Sequence, residues 1–200
     1  MIDDKHKFIF IHIPKTGGTS IEKAFKKRIK GGHKHLTLFD YENELKTEIE
    51  KYFVFSVIRN PWDRLVSYWK YRQGKRHAPI DGKLNEFDKW LKFISSLDLN
   101  NLNGKTARGN IPDFRMGLDL QFNSLLNKKN EINVNLIRFE NLQEDFNTIC
   151  DKIGIPQQQL PHKNKTKHKH YTEYYDEETK QIVAEKYAKD IEYFNYKFGE

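Results

Sequence analysis

Two short, mostly apolar runs each stop at a polar loop that leads into a helical pattern, and this repetition limits the folds open to the chain more than any other feature. The first run, Phe8-Ile9-Phe10-Ile11-His12-Ile13, is β-branched and aromatic and ends at Pro14, which suits a first strand buried on both faces. A loop from Pro14 to Gly18 follows, and Thr19 or Ser20 is placed to cap a helix to about Lys30, with Ile21, Ala24, Phe25 and Ile29 on one face. The second run, Tyr52 to Ile58, stops at Arg59-Asn60-Pro61, where Pro61 suits the first position of a helix to about Gln73. Asn133 to Phe139 reads as a third strand and Leu142 to Ile153 as the helix after it. Alternation of this kind predicts an α/β fold with a central, mostly parallel β-sheet flanked by helices. Ligands of such sheets sit beyond the carboxyl ends of the strands, where both polar loops fall.

The rest of the chain is quieter. Gly31-Gly32 breaks the first helix, His33 to Leu38 form a connector, and Tyr41 to Lys51 read as a charged surface helix with Leu45 and Ile49 inward. Residues Gly74 to Gly82 are polar and bounded by glycine; Phe87, Trp90, Leu91 and Ile94 mark an amphipathic helix before a loose stretch from Asn100 to Asn110. A basic loop from Pro161 to His170 precedes a late helix, Asp176 to Ala188. No internal repeat or linker interrupts the 200 residues, so one domain over 1–200 is expected. The single cysteine, Cys150, lies in an apolar-periodic stretch and reads as a core residue; no intramolecular disulfide can form, which fits a reducing compartment. The run Phe8 to Ile13 is too short for a membrane span or a signal-peptide core, so a cytoplasmic location is expected.

The net charge of +7 favours anionic partners but does not choose among nucleic acid, acidic glycan, anionic membrane and nucleotide. Position narrows the choice. In Pro14-Lys15-Thr16-Gly17-Gly18-Thr19-Ser20, adjacent glycines let backbone N–H groups turn to one point, hydroxyls and a helix start add donors, and Lys15 supplies a full charge. A plain glycine turn before a capped helix would need neither the lysine nor both hydroxyls. In Ser56 to Tyr68, Arg59 at a strand end and Ser67 on the next helix can meet a second anion; otherwise Arg59 and Arg64 are surface charges and Ser67 bonds its own backbone.

Ile13-Pro14-Lys15-Thr16-Gly17-Gly18-Thr19-Ser20 and Ile58-Arg59-Asn60-Pro61-Trp62-Asp63-Arg64-Leu65-Val66-Ser67 resemble the two cofactor-binding motifs of sulfotransferases. The likeness is to the branch holding the carbohydrate 2-O-sulfotransferases and small bacterial relatives. Arg138-Phe139-Glu140-Asn141-Leu142 with Asp145-Phe146, Leu160-Pro161-His162 and the tail from Asp190 to Tyr196 extend it nearly end to end, most weakly over residues 74–126. The resemblance implies a P-loop-like sulfotransferase fold and 3'-phosphoadenosine 5'-phosphosulfate as donor. Lys15, Thr16, Gly17, Gly18, Thr19 and Ser20 would hold the 5'-phosphosulfate, and Arg59 and Ser67 the 3'-phosphate. Lys15 would also steady the bridging oxygen as the sulfuryl group leaves. The implied acceptor is a hydroxyl on a glycan or glycoconjugate, with no nucleic acid partner and no membrane span.

The acceptor must lose a proton, and histidine is matched to that task at neutral pH. His33-Lys34-His35 resembles the paired-histidine segment of the 2-O-sulfotransferases, in which the second histidine is the better candidate base; His35 is therefore favoured over His33. A histidine in a polar connector is otherwise a solvated surface residue. His12 is a rival, and alternatively a core histidine hydrogen-bonded at the strand end. The segment His162 to His170 packs four lysines and three histidines into nine positions; it suits a nucleotide cover, an acceptor guide or a plain basic loop. No carboxylate or cysteine joins these histidines at ligand spacing, so no metal is assigned.

Two other readings fit the composition. An ATP-dependent nucleotide kinase would share the fold, but the lysine precedes the glycines here, whereas the nucleotide-triphosphatase loop places it after the last glycine. A basic RNA or polysaccharide module could stack its ligand on Trp62, Trp69 and Tyr71, residues that read more simply as core or groove at helical spacing.

Overall fold

The computed structural model describes residues 1–26, 35–73, 86–96, 117–161 and 169–200. Gly31-Gly32, His33, the polar stretch after Gln73, residues 100–110 and most of the basic loop lie outside the described residues. The chain forms two compact units, Met1–Arg59 with Gln121–Lys165 and Asn60–Leu120 with Thr166–Glu200.

The first unit is an α/β unit around a four-stranded mixed sheet in the order β1 (Ile2–Asp3), β2 (Phe8–Ile11), β3 (Phe53–Ile58), β4 (Asn135–Arg138). β2, β3 and β4 run parallel, with Phe8 opposite Phe53 and Ile58 opposite Arg138. β1 runs antiparallel to β2, with Ile2 opposite Ile9. Because β1 precedes it, the expected first strand is the second. A two-residue strand of one apolar and one acidic residue has no periodicity to read.

All four residues of β2 are buried, as an inner parallel strand covered on both faces requires. Phe8, Phe10, Phe55, Val57 and Ile137 share a core with Ile21 of α1 (Gly18–Ala24) and with Phe146 and Ile149 of a later helix, Leu142–Lys152. Cys150 is sealed in that core, and burial pushes its thiol pKa up. α1 begins at Gly18, not after Thr19 or Ser20. Gly17 is its cap, in the left-handed region at φ 89°, and no side chain caps it.

α2 (Leu38–Leu45) starts earlier than the expected helix and passes into a 3-10 turn, Lys46–Lys51. Thr37 and Asp40 explain the start: the Asp40 carboxylate accepts from the Thr37 N–H at 2.8 Å, and the Asp40 N–H donates to the Thr37 hydroxyl at 3.2 Å, the reciprocal pattern of a capping box. Tyr41 is buried, while Ile49 is only half-buried.

The second unit is helical. α3 (Pro61–Arg72) has Pro61 at its first position, as expected, and Asn60 as its cap, accepting from the Trp62 N–H at 3.1 Å. α4 (Phe87–Ser96) buries Phe87, Trp90, Leu91 and Ile94. α5 (Gln121–Ser124) and α6 (Leu142–Lys152) belong to the first unit. The expected late helix is α7 (Glu177–Lys186), and after a break at Tyr187 (φ −110°, ψ 20°) a further helix follows, α8 (Ala188–Phe194). Tyr187 is sealed in the core, with its hydroxyl donating to the Leu118 carbonyl at 2.7 Å. Neither glycine nor proline marks that break in the sequence. Trp62 and Trp69 are core residues of this unit, 4% and 6% exposed, while Tyr71 lies on its surface.

No helix among the described residues is long and apolar enough to cross a membrane.

Candidate active site

The parallel register of β2 and β3 brings the loop after Ile11 and the residue after Ile58 to the same end of the sheet. The loop is pinned from within. Thr16 is fully buried and its hydroxyl donates to the Ile13 carbonyl at 2.9 Å; the Ser20 N–H donates to the Gly17 carbonyl at 2.9 Å, and the Ser20 hydroxyl to the Pro161 carbonyl at 3.2 Å. Lys15 has φ 70°, the left-handed region that non-glycine residues avoid. Gly17 meets that region at no steric cost, and a Cβ there would stand 3.0 Å from the Phe139 ring and 3.1 Å from Leu142. Gly18 has still less room: a Cβ would lie 2.3 Å from the His12 ring.

Arg59 follows β3 directly. It is 7% exposed, so the reading of Arg59 as a surface charge does not hold. Its backbone is fixed by Gln121, whose side-chain oxygen accepts from the Arg59 N–H at 2.9 Å and whose amide donates to the Arg59 carbonyl at 2.8 Å. Its guanidinium lies 3.9 Å from the centre of the Phe139 ring, and Nη1 donates to the Lys15 carbonyl at 3.0 Å. Stacking of a cation on an aromatic face holds the group flat and leaves its edge for anions.

Lys15 and Arg59 therefore share one corner of the first unit. Burial, and secondly the charge of Arg59, push the Lys15 pKa down from 10.5 to about 8. An anion placed there would offset both effects.

Behind the loop, His12 and Glu22 are buried together, 5% and 3% exposed, with His12 Nδ1 donating to Glu22 Oε1 at 2.5 Å. His12 thus has the burial and the bonded partner expected of a satisfied core histidine. His35 is half-buried beside it, its ring centre 4.7 Å from that of His12 in an edge arrangement. His35 Nδ1 lies 2.8 Å from the His12 carbonyl oxygen. A carbonyl can only accept, so Nδ1 carries the proton, and when the ring is neutral its lone pair is on Nε2.

Of the residues singled out from sequence, Lys15, Thr16, Gly17, Gly18, Thr19, Ser20, Arg59, His12 and His35 all belong to the first unit. Ser67 is half-buried on α3 in the second. Arg64, also of the second unit, is not a surface charge either: it is 1% exposed, and Nη2 donates to the carbonyls of Gly117 and Asp119 at 3.3 and 2.9 Å. Among the described residues no group of three or more His, Cys, Asp and Glu side chains could hold a metal ion.

A sequence model of the Sulfotransferase family matches residues 1–197. The chain belongs to the sulfotransferase family. The matched span takes in both strand-end loops of this sulfotransferase-family chain, Lys15 to Ser20 and Arg59 to Ser67, and parts of both compact units. No curated protein and no solved structure matches it.

Three residues at the corner carried no role in the sequence reading. Phe139 was part of a family-like segment without a function. Gln121 fell in the stretch of weakest resemblance. Glu22 stands three residues after Thr19, the spacing of a capping box, which points such an acid toward a helix cap; here it turns inward to His12 instead.

Proposed function

We propose that this protein transfers a sulfuryl group from 3'-phosphoadenosine 5'-phosphosulfate to a hydroxyl of a carbohydrate acceptor, in one in-line step on a P-loop-like strand, loop and helix. The observation that carries the reading is the corner where the Arg59 guanidinium donates to the Lys15 carbonyl, and where burial and secondly the charge of Arg59 lower the Lys15 pKa. Two cations held together at adjacent strand ends favour a polyanionic nucleotide over a neutral ligand.

In this reading the main-chain N–H groups of residues 15–20 and the Lys15 ammonium hold the 5'-phosphosulfate, and Arg59 holds the 3'-phosphate. Thr16 acts through its backbone, since its hydroxyl is bound to the Ile13 carbonyl. α1 spans only Gly18–Ala24, so the site depends on loop amides and side-chain charge rather than on a helix dipole. Lys15 stabilises the charge that builds on the bridging oxygen as its bond to sulfur breaks. His35 Nε2 takes the proton of the acceptor hydroxyl as that oxygen bonds to sulfur, and no covalent enzyme intermediate forms. His12 is the less accessible candidate, because its ring is buried and its Nε2 edge is sealed against Gly18.

The test has two parts. Adenosine 3',5'-bisphosphate should raise the melting temperature strongly and ATP with magnesium only weakly; the reverse order would favour a kinase. With donor and a panel of glycans, His35→Ala should abolish transfer of labelled sulfate while still binding the bisphosphate. Loss of nucleotide binding in that variant would move His35 from the reaction to the cofactor site.

A further inference from the structure

His12 is a junction. Its side chain meets the buried Glu22 carboxylate on α1 at 2.5 Å, the backbone of Gly18, where even a methyl group would come within 2.3 Å of the ring, the stacked Phe10 ring, and the His35 ring in an edge arrangement. Its carbonyl accepts from His35 Nδ1 at 2.8 Å. The residue that touches the anion loop thus also sets the tautomer and orientation of the candidate base.

We infer that the buried Glu22–His12 pair is a positioning device that couples the anion loop to His35, so that nucleotide bound at one is sensed by the ring of the other. The inference rests on the reading of His35 as the base and of the loop as the donor site. The physical reasons are local. Glu22 fixes the His12 ring about its side-chain torsions by a charge-assisted bond in a site closed to water, where such bonds are strongest. The ring cannot retreat from Gly18 without breaking that bond, and the loop cannot shift at Gly18 without pushing the ring. Any such displacement reaches His35 through two contacts, the edge of its ring and the hydrogen bond to the His12 carbonyl. Outer partners that orient a functional histidine act in this way at metal centres, and here the oriented group is a base. Glu22 and His12 are positioning residues: neither has the exposure to meet a substrate.

The experiment reads the histidine rings by long-range proton–nitrogen correlation on the full chain, with adenosine 3',5'-bisphosphate as the probe. In the wild type, His35 should show the tautomer protonated on Nδ1. During titration the His12 and His35 resonances should move together with one dissociation constant, while His6, which pairs with Asp3 near the edge strand β1, stays still. His35 unmoved at saturation, with the Gly17 and Gly18 amides shifted, would overturn the inference and leave the functional reading intact. If no amide of the loop moves at any concentration, the functional reading fails. The coupling is then decided by Glu22→Gln alone, which keeps the side-chain shape and removes the charge. That variant should alter the His35 nitrogen pattern and, where nucleotide binds, weaken the bisphosphate by about tenfold, within the usual range of coupling between sites. A Glu22→Gln protein with changed His12 but unchanged His35 signals and unchanged affinity contradicts it. Should Glu22→Gln not fold, the wild-type titration still decides, and Gly18→Ala, which displaces the His12 ring from the other side, must then change the His35 pattern.

Discussion

Arg59 and Arg64 stand in the same motif and are both nearly sealed from solvent, 7% and 1% exposed, but their surroundings differ. In the second unit Arg64 gives Nη2 to two backbone carbonyls, Gly117 and Asp119, inside an aromatic core. In the first unit Arg59 lies against one aromatic face, gives Nη1 to the Lys15 carbonyl, and adds to the burial that already lowers the Lys15 pKa. One arginine completes a fold; the other keeps positive charge concentrated where the backbone is already strained at Lys15. Strain and like charge cost stability, and they persist where a ligand makes use of them. Burial alone does not distinguish the two arginines; their partners do.

The largest expected effect breaks the comparison on the functional side. Lys15→Met should lower turnover by about a thousandfold, the scale of losing a charge aimed at a developing anion, while leaving the melting temperature unchanged or raised. A parallel drop in stability would show that Lys15 serves the fold. On the structural side, Arg64→Met should cost about 3 kcal/mol in urea unfolding, because it strands two buried carbonyls. Refolded Arg64→Met should bind the bisphosphate as tightly as the wild type. Gly18→Ala tests the crowding behind the loop: forcing a methyl group against His12 should cost about 1–3 kcal/mol and weaken nucleotide binding as well.

A smaller effect sharpens the comparison through pH. With the Lys15 pKa at about 8 in the folded protein and 10.5 as its ordinary value, the unfolded chain holds more protons between those limits. Stability of the nucleotide-free protein should therefore rise with pH from about 8 to 10.5, and the rise should vanish in Lys15→Met. Anion binding favours the charged lysine, so bisphosphate affinity should be flat below pH 8 and fall by up to about tenfold per unit above it. The smallest change is Trp62→Phe, which removes the indole donor to the Lys180 carbonyl at 3.1 Å and should cost about 1 kcal/mol with no effect on nucleotide affinity.

The parallel strands, the start of α3 at Pro61 and the buried face of α4 were legible because each has a strong local cause: a β-branched run, a fixed proline φ, a 3.6-residue period. β1 was not, since two residues carry no period. The start of α1 was misplaced because Thr19 and Ser20 have good capping chemistry, while Gly17 caps through its backbone conformation alone. α8 was not read as a helix of its own, because neither glycine nor proline at Tyr187 marks where α7 stops and the next helix begins. At the corner, Lys15 and Arg59 were readable as charges beside glycines and strand ends, whereas His35 was singled out only through the family resemblance. Glu22, Gln121 and Phe139 were not readable, because they act on other protein groups and their partners are 10, 62 and 80 positions away or more.

The most direct test of the anion corner is a thermal titration of the wild type and Arg59→Ala with adenosine 3',5'-bisphosphate, beside adenosine 5'-monophosphate. The account predicts that the bisphosphate stabilises the wild type far more than the monophosphate, and that Arg59→Ala loses this preference while still folding. Equal stabilisation of the wild type by both nucleotides, or by neither, would contradict it.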